Sequence, residues 1–153
     1  MQNTSQQYDQ AINKCKDIFL KKMKDYGTAW RNLRPTSLTD QIFIKAQRIR
    51  SIQEKGTQKI EEGIVSEFIG IVNYCVIALI QLELKDTSNL SLSFEELAPL
   101  YDKQVKEVYQ LLTNKNHDYG EAWRDMRVSS ITDIILMKLF RVKQIEDNEG
   151  VTI

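Results

Sequence analysis

Apolar residues recur at intervals of three and four along most of the chain, the spacing that places side chains on one face of an α-helix. The first such run covers residues 8–24 and includes Ile12, Cys15 and Phe19. Gly27 follows this run and predicts a left-handed cap at the end of the helix. No segment shows the alternation of a half-buried strand or the signal of a hairpin. The pattern therefore predicts an all-α protein.

Four further helices are predicted in the same way. Ser37 with Asp40 resembles a capping box and places the start of the second helix there. Ser93 with Glu96 predicts another cap, and Pro99 predicts a kink or a restart shortly after it. The four predicted helices cover about residues 37–55, 58–84, 100–116 and 130–148. The longest of them is apolar nearly all round, as expected of a central core helix.

Two segments of the chain are copies of each other. Residues 8–53 align without a gap onto residues 101–146, at a constant offset of 93. The densest identity is DYGTAWR at 25–31, which returns as DYGEAWR at 118–124. Charged and aromatic positions have stayed the same in the two copies, while core positions have drifted among apolar types. This pattern points to a polar site that is made twice, or once between the copies.

The repeat divides the chain into predicted units. The first covers residues 1–84 with three helices, a linker covers 85–92, and the second covers 93–153 without a third helix. We expect both units to pack as one compact domain, a bundle of five to six helices with pseudo-twofold symmetry. Either the chain is shortened relative to a parent with two full units, or the second copy never had this helix. In both cases an apolar face lacks a cover, and we expect a homodimer.

Composition disfavours several classes of function. The net charge is +0, so the chain has no overall electrostatic footprint for broad nucleic-acid or acidic-lipid binding. The N-terminus has no signal-peptide pattern, and the most apolar stretch, 64–82, is interrupted by polar residues, so we expect no membrane span. The two cysteines form no CxxC motif and are interpreted as buried free thiols. We therefore expect a cytoplasmic protein.

Each copy carries a Lys/Arg pair one helical turn apart. Lys45 and Arg48 form the first pair, and Lys138 and Arg141 form the second. The second pair lies in the run 134–142, where nothing else is polar, so we expect that helix to be mostly buried. A buried cation needs an anion, either an internal carboxylate or a phosphate-bearing ligand, because an unpaired buried charge is very costly. The internal candidates are Asp25, Asp118, Glu62 and Glu67.

The connector after the first helix of each copy carries aromatic and guanidinium groups. Tyr26 and Trp30 offer flat surfaces with a polar handle, and Arg31 offers a forked donor. They would either stack on a base and hold its phosphates, or lock the connector in place with Trp30 in the core and Arg31 bridging to Asp25. A repeated Arg/Trp cluster in a loop favours the functional interpretation. The equivalents in the second copy are Asp118, Tyr119, Trp123 and Arg124.

Few residues are suited to a metal or a catalytic step. Glu62 and Glu67, in the long apolar helix, are the candidates for catalysis and for Mg²⁺ ligation, although they do not share a helix face well. Asp40 and Asp133 are interpreted as helix caps. The lone histidine, His117, is expected at the surface. There is no HExxH, P-loop, GxGxxG or GxSxG motif.

Several short motifs are distinctive when they are considered together. They are Lys-Asp-Tyr-Gly-x-Ala-Trp-Arg, then Ser-x-x-Asp, then Lys-x-x-Arg-Ile, and finally Asn73-Tyr74 in an apolar helix. With them the chain resembles the nucleotide modification associated domain 1 family, over nearly its whole length. The resemblance covers one complete unit and one unit cut before its last helix. It implies an all-α domain of bacteria and phages that acts on or near modified nucleotides.

A more distant resemblance is to the MazG-type all-α nucleoside triphosphate pyrophosphatases. Those enzymes bind magnesium through ExxE and ExxD pairs on neighbouring helices and cleave between the α and β phosphates. Here Glu67 is followed by Gly70, so the second acid of an ExxD pair is missing. The second helix has Lys45 and Arg48 where an acidic pair would be needed. These departures argue against that hydrolysis in the first copy.

Three functions remain open. The first is a nucleotide-directed protein that binds a nucleotide or another phosphate-bearing small molecule, with magnesium-dependent phosphoanhydride hydrolysis as the reaction if it is an enzyme. The second is a regulatory module that binds an anionic ligand without chemistry. The third is a structural helical oligomer in which the repeated polar residues are caps or ion pairs. The predicted ligand-binding residues are Asp25, Tyr26, Trp30, Arg31, Lys45, Arg48, Asp118, Tyr119, Trp123, Arg124, Lys138 and Arg141.

Overall fold

Five α-helices make up most of the protein in the computed structural model, which describes residues 3–56, 61–85 and 90–151. The described part of the chain contains no strand, so the predicted all-α class is confirmed. Two short 3₁₀ turns join α1 to α2 and α4 to α5. The helices are α1 (Thr4–Tyr26), α2 (Pro35–Lys55), α3 (Glu61–Leu84), α4 (Phe94–Tyr119) and α5 (Val128–Asp147), and the turns are Ala29–Asn32 and Ala122–Asp125.

The helices group into two compact units. Unit 1 comprises residues 1–33 and 76–121, and unit 2 comprises residues 34–75 and 122–153. Within each unit, a helix of the first sequence copy packs against its own counterpart from the second copy: α1 against α4 in unit 1, and α2 against α5 in unit 2. The boundary between the units divides α3. The assignment of repeat units from the sequence and the pseudo-twofold symmetry remain predictions.

In unit 1, α1 and α4 pack through aromatic side chains. Tyr8 and Tyr109 have ring centroids 5.0 Å apart, and Phe19 and Tyr101 have centroids 4.9 Å apart. The Tyr8 hydroxyl also donates a hydrogen bond to the Val105 carbonyl of α4. Burial raises the pKa of the Tyr101 phenol, so this side chain stays neutral and serves as a packing residue.

In unit 2, α2 is packed on two sides. Phe43 of α2 meets Phe140 of α5 edge to face, with ring centroids 5.5 Å apart. Ala46 and Ile49 are completely buried. The core cluster of this unit consists of Ile42, Ala46 and Ile49 of α2, Ile71 of α3, and Leu136 and Leu139 of α5. The position of α2 between α3 and α5 makes it the central helix of the unit.

Two ion pairs fix the direction of α5 against α2. Asp40 in the first half of α2 lies 3.5 Å from Lys143 in the second half of α5, and Arg50 lies 3.9 Å from Asp133. The two helices therefore run antiparallel. Under the offset of 93 residues, each ion pair is the equivalent of the other, with Asp40 matching Asp133 and Arg50 matching Lys143. This reciprocity supports the pseudo-twofold relation expected within the unit.

Helix α3 is the most apolar element. Its segment Gly63–Leu84 is, in the described part of the chain, the one helix long and apolar enough to cross a membrane by length and composition alone. That test is weak evidence, because the core helix of a soluble protein passes it as well. Ile71, Ile77 and Ile80 are buried within the protein. The helix therefore has packing partners of its own.

The predicted start of α2 is wrong. The helix begins at Pro35, and the extended residue before it, Arg34, stands at the N-cap. Proline is favoured at a first helical position, because the hydrogen-bond donor that it lacks would have no partner there anyway. Ser37 and Asp40 therefore lie inside the helix. Asp40, like its equivalent Asp133, is a member of an ion pair and not a helix cap.

The capping box at the start of α4 is present, but the helix begins earlier than predicted. The Ser93 hydroxyl accepts from the Glu96 amide and the Glu96 carboxylate accepts from the Ser93 amide, so the helix starts at Phe94. Pro99 lies within the helix and does not divide it. A proline this near the N-terminus removes one hydrogen bond, to the carbonyl of Glu95, at an exposed end of the helix.

The glycines that end α1 and α4 have a conformation other than the predicted left-handed cap. Gly27 has φ 60° and ψ −145°, and Gly120 has φ 70° and ψ −163°. This region is almost exclusive to glycine, because a Cβ atom clashes with the backbone there. Each glycine amide still donates to the carbonyl four residues earlier, at 2.7 Å and 2.8 Å. By contrast, Gly56 at the end of α2 is left-handed.

We expect Gly27→Ala to lower the free energy of unfolding by about 1–3 kcal/mol, the usual cost of a residue held in a sparsely populated backbone region. Chemical denaturation measures the change. Gly56→Asn is the control, because asparagine tolerates the left-handed conformation, and it should cost clearly less. Equal costs for the two variants would contradict the assigned conformations.

The two copies should also differ in how much their equivalent core positions contribute to stability. Ile49 of α2 is 0% exposed, whereas its equivalent in α5, Val142, is 42% exposed. We expect Ile49→Ala to cost about 2–5 kcal/mol, because it leaves a cavity. Val142→Ala should cost far less, and the one extra methylene of isoleucine accounts for only about 0.8 kcal/mol of the difference. Denaturant melts of both variants would show equal losses if the two positions were equally packed.

Candidate functional site

One carboxylate of α3 meets both cations of the first Lys/Arg pair. Arg48 Nη1 lies 2.9 Å from Glu67 Oε1, and Lys45 Nζ lies 3.5 Å from Glu67 Oε2. The Glu67 side chain is only 12% exposed, whereas that of Arg48 is 61% exposed. Two cations around a nearly buried carboxylate compensate the free-energy cost of removing it from water. Glu67, one of the internal partners considered from the sequence, therefore holds this pair.

Gly70 makes room for the lysine of this cluster. A Cβ atom at position 70 would lie 2.8 Å from Lys45 Cε and 2.9 Å from Lys45 Cδ, closer than real contacts allow. The side chain of Lys45 therefore crosses α3 directly over the glycine backbone. Its Nζ lies 5.8 Å from the centroid of the Tyr74 ring. Along α3, Tyr74 lies one turn after Gly70, and Glu67 lies one turn before it. Positions 67, 70 and 74 thus form one cradle for the lysine.

The second Lys/Arg pair is open to water. Lys138 and Arg141 of α5 are both exposed. Arg141 Nη1 donates to Gln144 Oε1 one turn later, at 3.4 Å. Since the spacing matches that of Lys45 and Arg48, α5 presents to solvent the same pair of cations that α2 presents to Glu67.

The expectation that residues 134–142 are mostly buried is wrong. Leu136 and Leu139 are buried in the core of unit 2. Met137 and Phe140, on other sides of the helix, are 61% and 51% exposed. The core that α5 shares with α2 covers one side of α5, and apolar side chains elsewhere on it stay accessible. Two exposed apolar side chains lie one helical turn from the second pair of cations, Met137 before Arg141 and Val142 after Lys138.

The first connector is held in place by a glutamine of α3. Arg31 is 3% exposed and donates to the side-chain oxygen of Gln81. The Gln81 amide nitrogen lies 3.3 Å from the carbonyl oxygens of both Trp30 and Arg31, and 3.4 Å from that of Leu33. The Thr28 hydroxyl adds a hydrogen bond to the carbonyl of Leu90, at 2.9 Å. In this copy the arginine therefore locks the connector and is closed to solvent.

The second connector is more open. Trp123 is half-exposed, and the Arg124 guanidinium lies over its ring, 4.6 Å from the centroid. The tyrosines that precede the two connectors, Tyr26 and Tyr119, are the most exposed large apolar residues of unit 1. His117 is exposed, as expected, and its Nδ1 lies 3.2 Å from an oxygen of Asp118. Aromatic surface near the repeated motif is therefore accessible in both copies.

The predicted ligand-binding residues are distributed over both units. Those of unit 1 are Asp25, Tyr26, Trp30, Arg31, Asp118 and Tyr119. Those of unit 2 are Lys45, Arg48, Trp123, Arg124, Lys138 and Arg141. The contacts bring together Arg31 with its connector, Lys45 with Arg48, and Trp123 with Arg124. Their role in ligand binding remains a prediction.

Comparison with known families adds an independent finding. The profile of the nucleotide modification associated domain 1 family matches residues 22–82 and 115–153, more than half of the chain. The chain belongs to this family. The two matched segments begin 93 residues apart, at equivalent positions of the two copies, which is consistent with a tandem arrangement. No curated protein and no solved structure matches the chain. The resemblance to MazG-type enzymes remains a prediction.

The two acids predicted to bind magnesium are only partly described. Glu67 is paired with Lys45 and Arg48, and the side chain of Glu62 lies outside the described residues. Across the part of the chain that the structure describes, no group of three or more His, Cys, Asp or Glu residues is placed to hold a metal. Binding of Mg²⁺ by Glu62 and Glu67 remains a prediction of the sequence.

Neither cysteine has the character of a nucleophile. Both are free thiols; Cys15 is buried and Cys75 is half-buried. Burial raises the pKa of the Cys75 thiol to about 11 and also raises that of Cys15. Since the thiolate is the reactive form, both thiols are protonated and inert at neutral pH.

The cradle predicts a coupling between Gly70 and Lys45. In a Lys45→Ala background, Gly70→Ala should stabilise the protein by about 0.5–1 kcal/mol, because alanine is the better helix former. In the wild type the same substitution displaces Lys45 from Glu67. The stabilisation by Gly70→Ala should therefore be smaller or become a destabilisation. Denaturant melts of the four variants measure this coupling. Equal effects of Gly70→Ala in both backgrounds would show that the lysine does not lie over the glycine.

Proposed function

We propose that the protein binds a nucleotide or another phosphate-bearing small molecule, with Lys138 and Arg141 as the phosphate contacts. The observation that supports this proposal is the geometry of the first copy. There the same Lys/Arg pair converges on the two oxygens of one carboxylate, at 3.5 Å and 2.9 Å. A phosphate group offers the same pattern of closely spaced oxygen acceptors and a larger negative charge.

The second copy is the better candidate for ligand binding. In the first copy, Glu67 already supplies an anion to Lys45 and Arg48, and its side chain is nearly closed to solvent. An incoming phosphate would have to compete with that carboxylate. In the second copy, Lys138 and Arg141 are exposed on α5. Because both side chains are exposed, a ligand can reach them from solvent.

The surroundings of the second pair favour a ligand with an apolar or aromatic part. Met137, one turn before Arg141, and Val142, one turn after Lys138, are exposed on the same helix. A half-exposed tryptophan with a stacked arginine, Trp123 and Arg124, belongs to the same unit. Methionine and aromatic side chains pack against the face of a nucleobase, and arginine stacks on it as well. A nucleoside phosphate combines both features, and membership in a nucleotide modification associated family agrees with it.

Binding without chemistry accounts best for the described residues. Phosphoanhydride hydrolysis would require a metal site or a general base, and the described acids supply neither an unengaged pair of carboxylates nor a nucleophile with its base. We therefore propose a binding or regulatory module and derive no hydrolytic step.

Thermal unfolding in the presence of ligands tests the proposal. We expect a nucleoside mono-, di- or triphosphate at a hundred times its dissociation constant to stabilise the native state by about 2.7 kcal/mol through mass action. The effect should disappear in a Lys138→Ala/Arg141→Ala variant. It should also weaken with added salt, because exposed charges are screened.

The matched control is Lys45→Ala/Arg48→Ala, which removes the equivalent cations of the first copy. This variant should be less stable than the wild type, because Glu67 would be left without its partners, but it should keep the ligand effect. Inorganic phosphate separates recognition of phosphate from recognition of the nucleoside. The proposal fails if no ligand of the panel, with or without magnesium, stabilises the wild type.

A further inference from the structure

Two equivalent stripes of α2 and α5 differ in how well they are covered. The α2 stripe is Leu38, Ile42, Lys45, Ile49 and Ile52, and the α5 stripe is Ile131, Ile135, Lys138, Val142 and Ile145. Both follow alternating steps of four and three residues, so each forms a continuous line along its helix. Leu38, Ile42 and Ile49 are buried. In the α5 stripe, Lys138 and Val142 are exposed and the three isoleucines are half-buried.

The α2 stripe is covered by the first half of α3. Ile52 Cδ1 lies 3.9 Å from the position of a Cβ at Gly63, so the helices approach closely there. Lys45 lies across Gly70, and Ile71 packs in the same cluster as Ile42 and Ile49. Helix α3 thus brings three features to the stripe: small residues where side chains cross, an apolar surface, and one carboxylate for the two cations.

The α5 stripe presents the same recognition elements. Lys138 and Arg141 repeat the spacing of the two cations that Glu67 holds. Ile135 and Ile145 are identical to Ile42 and Ile52 of the first copy. A partly exposed apolar line that carries a pair of exposed cations is complementary to an apolar helix with a carboxylate at the matching position.

We propose that the α5 stripe is a docking site for a helix of the α3 kind from a partner polypeptide. The helix is apolar, carries one carboxylate that meets Lys138 and Arg141, and has a small residue one turn after that carboxylate. This inference goes beyond the proposed binding of phosphate-bearing ligands and does not depend on it. Because both use the same cations, the helix and the ligand exclude each other.

A second copy of the chain fits the stripe less well. Two α5 stripes placed face to face would bring Lys138 and Arg141 near the same cations of the other copy, and like charges in contact are costly. If two molecules exchanged α3, that helix could cover an α5 stripe only by leaving the α2 stripe. There Glu67 already holds Lys45 and Arg48. The repulsion between like charges and the loss of the α2–α3 contact therefore both favour a helix from a different polypeptide.

A peptide with the sequence of residues 63–78, in which Glu67 is the one acidic residue, is the probe, with Cys75→Ser to prevent oxidation and a fluorophore on a neutral tail. We expect it to bind the full chain, as measured by fluorescence anisotropy. A peptide carrying Glu67→Lys should bind at least about tenfold more weakly, because it places a like charge against the two cations. A chain carrying Lys138→Glu/Arg141→Glu should reverse this preference and bind the Glu67→Lys peptide better.

Two controls locate the binding. The Lys45→Ala/Arg48→Ala chain should bind the peptide as the wild type does, since the α2 stripe is not the proposed site. Inorganic phosphate and nucleotides, added as competitors, should displace the peptide if they use the same cations. Binding of the peptide without any effect of phosphate would leave the docking site standing and contradict the proposed ligand function.

Three results would overturn the docking site. The first is the absence of peptide binding. The second is binding that responds to the changes at Lys45 and Arg48 but not to those at Lys138 and Arg141. The third is a dimer in sedimentation velocity that dissociates when Val142→Glu is introduced, because the stripe would then belong to a second copy of the chain.

Discussion

The carboxylate of Glu67 is the group on which the arrangement of unit 2 depends. It is nearly buried, and it faces two cations from a neighbouring helix, so removal of both cations would leave its charge without compensation. Apolar packing alone does not fix how far two helices slide along each other, because one isoleucine can replace another with little change in free energy. A lysine lying over Gly70 and paired with Glu67 favours the observed register. The direction of α5 is fixed in a similar way, by ion pairs at both ends of its contact with α2.

The helices could be predicted from the sequence because their apolar positions have the spacing of one buried face. Their ends were harder to predict, because a cap depends on which of several nearby residues adopts an extended conformation. Ser37 with Asp40 matched the capping pattern, but Pro35 favoured an earlier start. Gly27 was correctly placed at a helix end, yet its ψ angle follows from the direction in which the chain leaves the helix. That direction depends on the tertiary structure and cannot be predicted from the neighbouring residues.

The candidate site was only partly predictable. The repeated Lys/Arg pairs could be found because each lies one helical turn apart, and Glu67 was among the few acids that could meet them. Which pair is closed could not be found, because the two copies have the same cations and differ in what packs against them. The role of Gln81 was also missed. A polar residue in the apolar third helix was the available signal, but its connector partners are about fifty positions earlier in the chain.

The reciprocal ion pairs between α2 and α5 show that the two helices meet through equivalent surfaces, each complementary to the other. Such a surface on separate molecules would form a two-fold symmetric dimer whose population depends on concentration. When the two halves are covalently connected, association becomes intramolecular, and the local concentration of each half around the other no longer changes with dilution. The contact between α2 and α5 is therefore expected to persist at any protein concentration. Each copy is also free to change separately, so that one pair of cations can face a carboxylate of α3 while the equivalent pair lies exposed on α5.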